Sequence, residues 1–153
     1  MITFRQGNLF DSQAEALVNA VNCVGVMGKG IALQFKRAYP AMFKDYAARC
    51  RRGEVRLGEM TSFHESGKTL INFPTKEHWK SSSRLEDVVT GLRALRELIV
   101  RERLRTIALP ALGCGYGGLE WPRVKAALLQ ELEGLVDVDI EVYEPMGPAE
   151  DEK

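Results

Sequence analysis

The sequence predicts an α/β fold with a mainly parallel central sheet and helices on both of its faces. Short apolar runs of strand length alternate with longer segments of helical periodicity. One run, Ala16-Leu17-Val18-Asn19-Ala20-Val21, is apolar almost throughout, as a strand covered on both faces must be. Two glycine-rich turns, Val24-Gly25-Val26-Met27-Gly28-Lys29-Gly30 and Gly113-Cys114-Gly115-Tyr116-Gly117-Gly118, each join an apolar run to a helical pattern. With 153 residues and 45% hydrophobic content, the chain can bury the core of one domain.

The elements follow in order. Met1 to Gln6 alternates as a strand, and Gly7-Asn8 turns the chain. The Ala16–Val21 strand leads through the first glycine turn to a helix from Ile31 to Ala38, stopped near Tyr39-Pro40. A second helix runs from Pro40 to Arg52, with proline in its first turn and Gly53 at its end. Gly58 to His64 and Lys68 to Phe73 form a hairpin around Glu65-Ser66-Gly67. Ser83 is expected to cap a helix from Arg84 to Arg103, whose inner face carries Leu85, Val88, Leu92, Leu95 and Ile99. A strand over Thr106 to Leu109, the second glycine turn, a helix from Trp121 to Glu133 and a strand from Val138 to Tyr143 complete the pattern. Residues 1–144 read as the domain, and residues 145–153 as a flexible tail or linker.

Composition excludes several classes. The 21 basic and 21 acidic side chains cancel, so no global field favours nucleic acid. The local run Arg49-Cys50-Arg51-Arg52 suits a solvated helix end better than a phosphate contact. Cys23, Cys50 and Cys114 match neither a zinc pattern nor an even disulfide set, which fits a reducing compartment. The N-terminus lacks the pattern of a signal peptide, and no apolar run approaches the roughly 20 residues that span a bilayer. The expectation is a cytoplasmic monomer with no membrane, metal or cofactor requirement.

Glycine at a strand–helix junction lets backbone N–H groups turn toward an anion, and the following helix adds positive N-terminal character. Two such turns point to a phosphate ligand, most simply a diphosphate. A Walker loop is excluded because Gly30, not Ser or Thr, follows Lys29. Gly113, Gly115 and Gly118 satisfy G-x-G-x-x-G, but that motif belongs after the first strand of a dinucleotide fold, and here one strand remains after it. Both turns gripping one sugar nucleotide is the better fit. Asn19 suits either a ribose hydroxyl or backbone groups at its strand end, whereas Asn22, inside the turn region, favours ligand contact.

Four segments now carry a resemblance: Gly7-Asn8-Leu9-Phe10, Val18-Asn19-Ala20-Val21-Asn22, Met27-Gly28-Lys29-Gly30-Ile31-Ala32 and Pro110-Ala111-Leu112-Gly113-Cys114-Gly115. In order and spacing they resemble the macrodomain, a three-layer α/β/α module with a mixed, mainly parallel sheet that binds ADP-ribose. The stretch Asn72-Phe73-Pro74-Thr75-Lys76-Glu77-His78-Trp79-Lys80, followed by Ser83-Arg84-Leu85-Glu86, is similar to the DarG type of macrodomain. That subgroup removes ADP-ribose from thymidine in single-stranded DNA modified by a toxin, DarT. It is more distantly similar to the enzyme that releases ADP-ribose from glutamate side chains.

The resemblance implies ADP-ribose contacts from Asn8, Leu9, Asn19, Asn22 and Thr75. It implies further contacts from Met27, Gly28, Lys29, Gly30, Ile31 and Ala32 on one side of the diphosphate. Leu112, Gly113, Cys114, Gly115, Tyr116, Gly117, Gly118 and Leu119 are implied on the other. Asn8 stands where most macrodomains have an aspartate that accepts from the adenine amino group, and Tyr143 suits either the adenine or the core. The implied partners are ADP-ribose, ADP-ribosylated single-stranded DNA and the toxin.

For the chemistry, the glutamate-directed relative has an aspartate where Gly117 stands here, and no motif supports Asp11 or Glu120 as a base. Lysine remains. Lys76 aligns with that relative's catalytic lysine. Lys80, four residues on and on the same face if the segment is helical, is placed slightly first because Trp79 beside it can exclude water or stack on a base. Trp79 is a candidate DNA contact, with a packing role as its alternative. The competing functions are hydrolysis of ADP-ribosylated protein or acylated ADP-ribose, and non-catalytic ADP-ribose reading.

Overall fold

A computed structural model describes residues 1–145, so all but the first residue of the predicted tail lies outside the described residues. The strands are β1 (Ile2–Arg5), β2 (Ala16–Val21), β3 (Thr61–Glu65), β4 (Lys68–Pro74), β5 (Thr106–Pro110) and β6 (Asp139–Tyr143). The helices are α1 (Gly30–Ala38), α2 (Pro40–Arg51), α3 (Leu85–Glu102) and α4 (Trp121–Leu132). The sheet order is β1-β6-β5-β2-β4-β3, parallel throughout except for the antiparallel β3–β4 hairpin. It is the mixed, mainly parallel sheet expected.

Strand periodicity sorts the core into two layers. Leu17, Val21, Leu70 and Ala108 point to one face, where Phe35 of α1 and Met42 and Tyr46 of α2 cover them. Ala16, Val18, Ile71, Phe73, Ile107 and Leu109 point to the other, against Val88, Leu92 and Leu95 of α3 and Leu128 of α4. These side chains are buried almost completely, each worth about 1.5–3 kcal/mol for the larger ones. Gly91 lets α3 approach the sheet closely, since a Cβ there would lie 2.4 Å from Phe73 Cζ.

Two local expectations fail. β3 begins at Thr61 rather than Gly58, because Gly58 takes φ +80° and leaves the extended region. Ser83 does not cap α3: Arg84 occupies that position without a side-chain bond, and the buried Ser83 Oγ has no hydrogen-bond partner. Ser83 packs instead against the second glycine turn. The basic run ending α2 reads as expected: Arg49 pairs with Asp45 at 2.8 Å and Arg52 with Glu54 at 2.6 Å.

Candidate active site

β2 and β5 are neighbours from which the chain winds in opposite directions, β2 toward β4 and β5 toward β6. Ligands of open α/β sheets sit outside the strand C-termini at such a switch point. β2 pairs with β4 along its whole length, but with β5 only at Ala16–Ile107 and Leu17–Ala108. Beyond Leu17 the two strands leave the ladder, and a cleft of about 1320 Å³ opens above them. That exceeds the ~300–1,000 Å³ of an ordinary small-molecule pocket and suits an extended ligand.

Asn22 organises the first turn. Its Oδ1 accepts from the N–H groups of Val24 at 3.0 Å and Val26 at 3.4 Å, while its Nδ2 donates to the Val26 carbonyl at 2.7 Å. The buried Tyr46 hydroxyl lies 2.8 Å from both the side-chain and main-chain oxygens of Asn22, and its single proton goes to one of them. Asn22 borders the cleft, and its amide also shapes the loop. Gly28, Lys29 and Gly30 then lead into α1, whose first N–H groups face the cleft unpaired by any side-chain cap.

The second turn is built from backbone. Gly113, Gly115 and Gly118 take φ of +76°, +65° and +82°, conformations that favour glycine. Tyr116 is thrown outward, 69% exposed, and its ring meets both sides of the first turn's end. A Cβ on Gly30 would lie 3.4 Å from that ring, and Lys29 Nζ sits 5.4 Å from its centroid. The turns therefore face each other across a narrow slot, as the sequence predicted.

Residues 75–84, between β4 and α3, bridge the two turns and form no helix. Thr75 N–H donates to the Val21 carbonyl, and Cys23 N–H to the Glu77 carbonyl, each at 2.9 Å. Ser83 N–H donates to the Gly117 carbonyl at 2.9 Å. The segment thus spans one end of the slot. Gly117 is pressed so closely on Ser83 that a Cβ would come within 2.5 Å of its Oγ. No carboxylate fits at that position without displacing the bridge.

This bridge separates the candidate lysines. Lys76 lines the cleft, and its Nζ donates to the carbonyls of Trp79 at 3.1 Å and Tyr116 at 3.5 Å. Partial burial, and then the nearby charge of Lys29, hold its ammonium below the usual lysine range. Lys80 does not line the cleft; its Nζ lies 5.0 Å from the centroid of the Trp79 ring. The segment is not helical, so the two lysines do not share a helix face: Lys76 borders the cleft and Lys80 does not.

Asn8, Leu9, Ile31, Ala32, Thr75, Cys114 and Trp79 border the cleft as expected. Asn19 does not. It is fully buried on the Leu17 face of β2, donating to Asn72 Oδ1 at 3.2 Å and lying 3.7 Å from the Met27 sulfur. Met27 and Leu112 are likewise sealed in the core, and Gly118 and Leu119 form the outer support of the second turn rather than its wall. Asn8 borders the cleft, but its Oδ1 already accepts from Phe10 N–H at 2.9 Å. The reading also missed the far end of the cleft, where Gln6, Phe10 and Glu144 join Tyr143. The Trp121 indole N–H, then Lys125, holds the Glu144 carboxyl below its usual range. The signal available was position alone: Gln6 and Glu144 follow the C-terminal ends of adjacent parallel strands.

Against this geometry, comparison defines the class. The macro domain family matches residues 18–128, and the chain belongs to that family. Within it, the chain is similar to the DNA ADP-ribosyl glycohydrolase of Mycobacterium tuberculosis, at 48% identity over 151 residues, covering 96% of this chain and 43% of that protein. It thus spans under half the length of that relative. The solved macrodomain of Mycobacterium tuberculosis DarG superimposes with a TM-score of 0.92 at 47% identity, covering 95% of this chain and 99% of that one. Thermosipho africanus DarTG, solved in complex with ADP-ribose, superimposes at 0.90 with 31% identity, covering 95% of this chain and 42% of that one.

Proposed function

We propose that this domain is a DNA ADP-ribosyl glycohydrolase, releasing ADP-ribose from thymidine in single-stranded DNA and countering a DarT-type toxin as a cytoplasmic monomer. The observation that carries the chemistry is Lys76, held at the end of the slot with its ammonium destabilised. The similarity to DNA ADP-ribosyl glycohydrolases at 48% identity supports the substrate class.

In this reading the glycine turns take the diphosphate between their N–H groups, and the ribose bearing the base faces Lys76. Adenine then falls at the other end, toward Phe10 and Tyr143. Neutral Lys76 attacks the anomeric carbon. The carbon–nitrogen bond to thymine breaks as the bond to Nζ forms, and the base leaves with the electron pair and takes the proton that Nζ, now bearing the new bond, gives up. Water then attacks the same carbon, frees ADP-ribose and returns the amine. Gly117 supplies no carboxylate, so in this reading the second turn gives no acid or base and Lys76 provides the nucleophile.

The test offers the wild-type domain an ADP-ribosylated thymidine oligonucleotide and an ADP-ribosylated protein. Release of ADP-ribose from the DNA alone is the expected result. Release from protein alone moves the substrate to carboxylate esters, and tight ADP-ribose binding with no turnover of either makes the domain a reader.

A further inference from the structure

Eight large hydrophobic side chains are exposed among the described residues, and three of them line one cleft. Val26 of the first turn, Trp79 of the bridge and Tyr116 of the second turn border the cleft together with Lys76; the other five are Met1, Val24, Val100, Leu129 and Val136. A folded surface gains nothing from an aromatic ring held in solvent beside a reactive group unless something covers it. Trp79 is 45% exposed. It is also held in place rather than loose. Its carbonyl receives Lys76 Nζ, the His78 ring lies against its own at 5.2 Å with a 31° tilt, and His78 Nδ1 accepts from Lys80 N–H at 3.1 Å.

The charge around it has one sign in excess. Lys29, Lys76 and Lys80 approach this rim, and Glu77 is the one acid in the bridge over residues 75–83. In a chain of zero net charge, that is a local departure suited to an anionic polymer. Flat aromatic surface interleaved with lysine is the chemistry that holds single-stranded nucleic acid, because every base has a π-face and every linkage a negative charge. Lys80, left without a role inside the cleft, is then a cation for the phosphate beside the stacked base.

From this we propose that Trp79, buttressed by His78 and flanked by Lys80, is a stacking station for the nucleobase adjoining the modified thymidine. The proposal rests on the DNA reading of the active site and adds the path of the strand. It explains why a DNA-directed domain can manage without a basic surface: one ring and one lysine at the exit of the cleft engage the strand where the reaction occurs.

Two measurements test it, one independent of turnover. In the first, kcat/KM is compared between an ADP-ribosylated oligonucleotide and ADP-ribosylated thymidine nucleoside, so that losses inside the cleft cancel in the ratio. The station predicts that wild type favours the oligonucleotide by about tenfold or more, and that Trp79→Ala and Lys80→Ala bring the ratio toward one while Trp79→Phe preserves it. An unchanged ratio in Trp79→Ala overturns the proposal. In the second, an unmodified single-stranded oligonucleotide is titrated against tryptophan fluorescence. Quenching that disappears in Trp79→Ala supports the station, and its absence in wild type overturns it. If wild type hydrolyses neither substrate, the glycohydrolase reading fails and the quenching titration decides the station alone.

Discussion

The two glycine turns look alike in sequence and are held by different means. The first, Val24 to Gly30, is knitted by a side chain: Asn22 bonds its loop backbone and meets the Tyr46 hydroxyl from α2. The second, Gly113 to Gly118, has left-handed glycines and close packing against Ser83 and Leu119. The bridge that carries Lys76 meets the first wall through backbone bonds at Val21 and Cys23, and the second through a backbone bond and close packing at Gly117. Displacing the second wall is therefore expected to disturb Lys76 more than displacing the first.

The contrast breaks most visibly at paired glycines. Gly113→Ala must adopt φ near +76° and puts a Cβ 2.6 Å from Leu119 Cδ1. It is expected to cost about 2–4 kcal/mol in urea unfolding. Gly28→Ala in the first turn meets only Val26 Cγ1 at 3.5 Å, an ordinary contact. Its stability should stay within about 0.5 kcal/mol of wild type, with weaker ADP-ribose binding by calorimetry. Equal losses at the two positions would erase the distinction.

Asn22→Ala comes next. It strips acceptors from the loop N–H groups and one acceptor from the buried Tyr46 hydroxyl, an expected cost of about 2–3 kcal/mol, with ADP-ribose affinity falling in parallel. Gly117→Ala is the counterpart in the second wall, costing about 1–3 kcal/mol through its collision with Ser83. Ser83→Gly in the same chain should recover most of that loss, since it removes the colliding atoms. A double-mutant cycle showing no coupling would mean the bridge and the turn are not in contact.

The smallest effect is electrostatic. The proposed mechanism uses neutral Lys76, so it predicts that kcat rises with pH through the Lys76 titration and then levels. Lys29 is one of the two causes that lower the Lys76 pKa. Lys29→Gln therefore raises that pKa, and the rising limb of the kcat–pH profile, read at saturating substrate, moves to higher pH.

How legible the site was depends on what held each residue. The alternation of strands and helices, Pro40 at the start of α2 and the glycine turns were all visible, because local chemistry sets them. Asn19 shows a readable error: it shares its face with Leu17 and Val21, so strand periodicity alone places it inward, against its implied role. The lysines were not readable in that way. Residues 75–84 have no period, and the direction of Lys76 is fixed by bonds to Val21, Cys23 and Gly117, residues remote in sequence. Ser83 was misread for a related reason, since its position before a helix suggests a cap while its contact with Gly117 is tertiary.

The central claim is that Lys76, not Lys80, performs the reaction while the turns alone bind. It is tested most directly by measuring turnover of ADP-ribosylated thymidine nucleoside and affinity for free ADP-ribose in Lys76→Ala and Lys80→Ala side by side. Lys76→Ala should lose at least about 100-fold in kcat with ADP-ribose affinity within a few-fold of wild type, and Lys80→Ala should retain turnover of this short substrate. Full activity in Lys76→Ala, or loss confined to Lys80→Ala, would contradict the account.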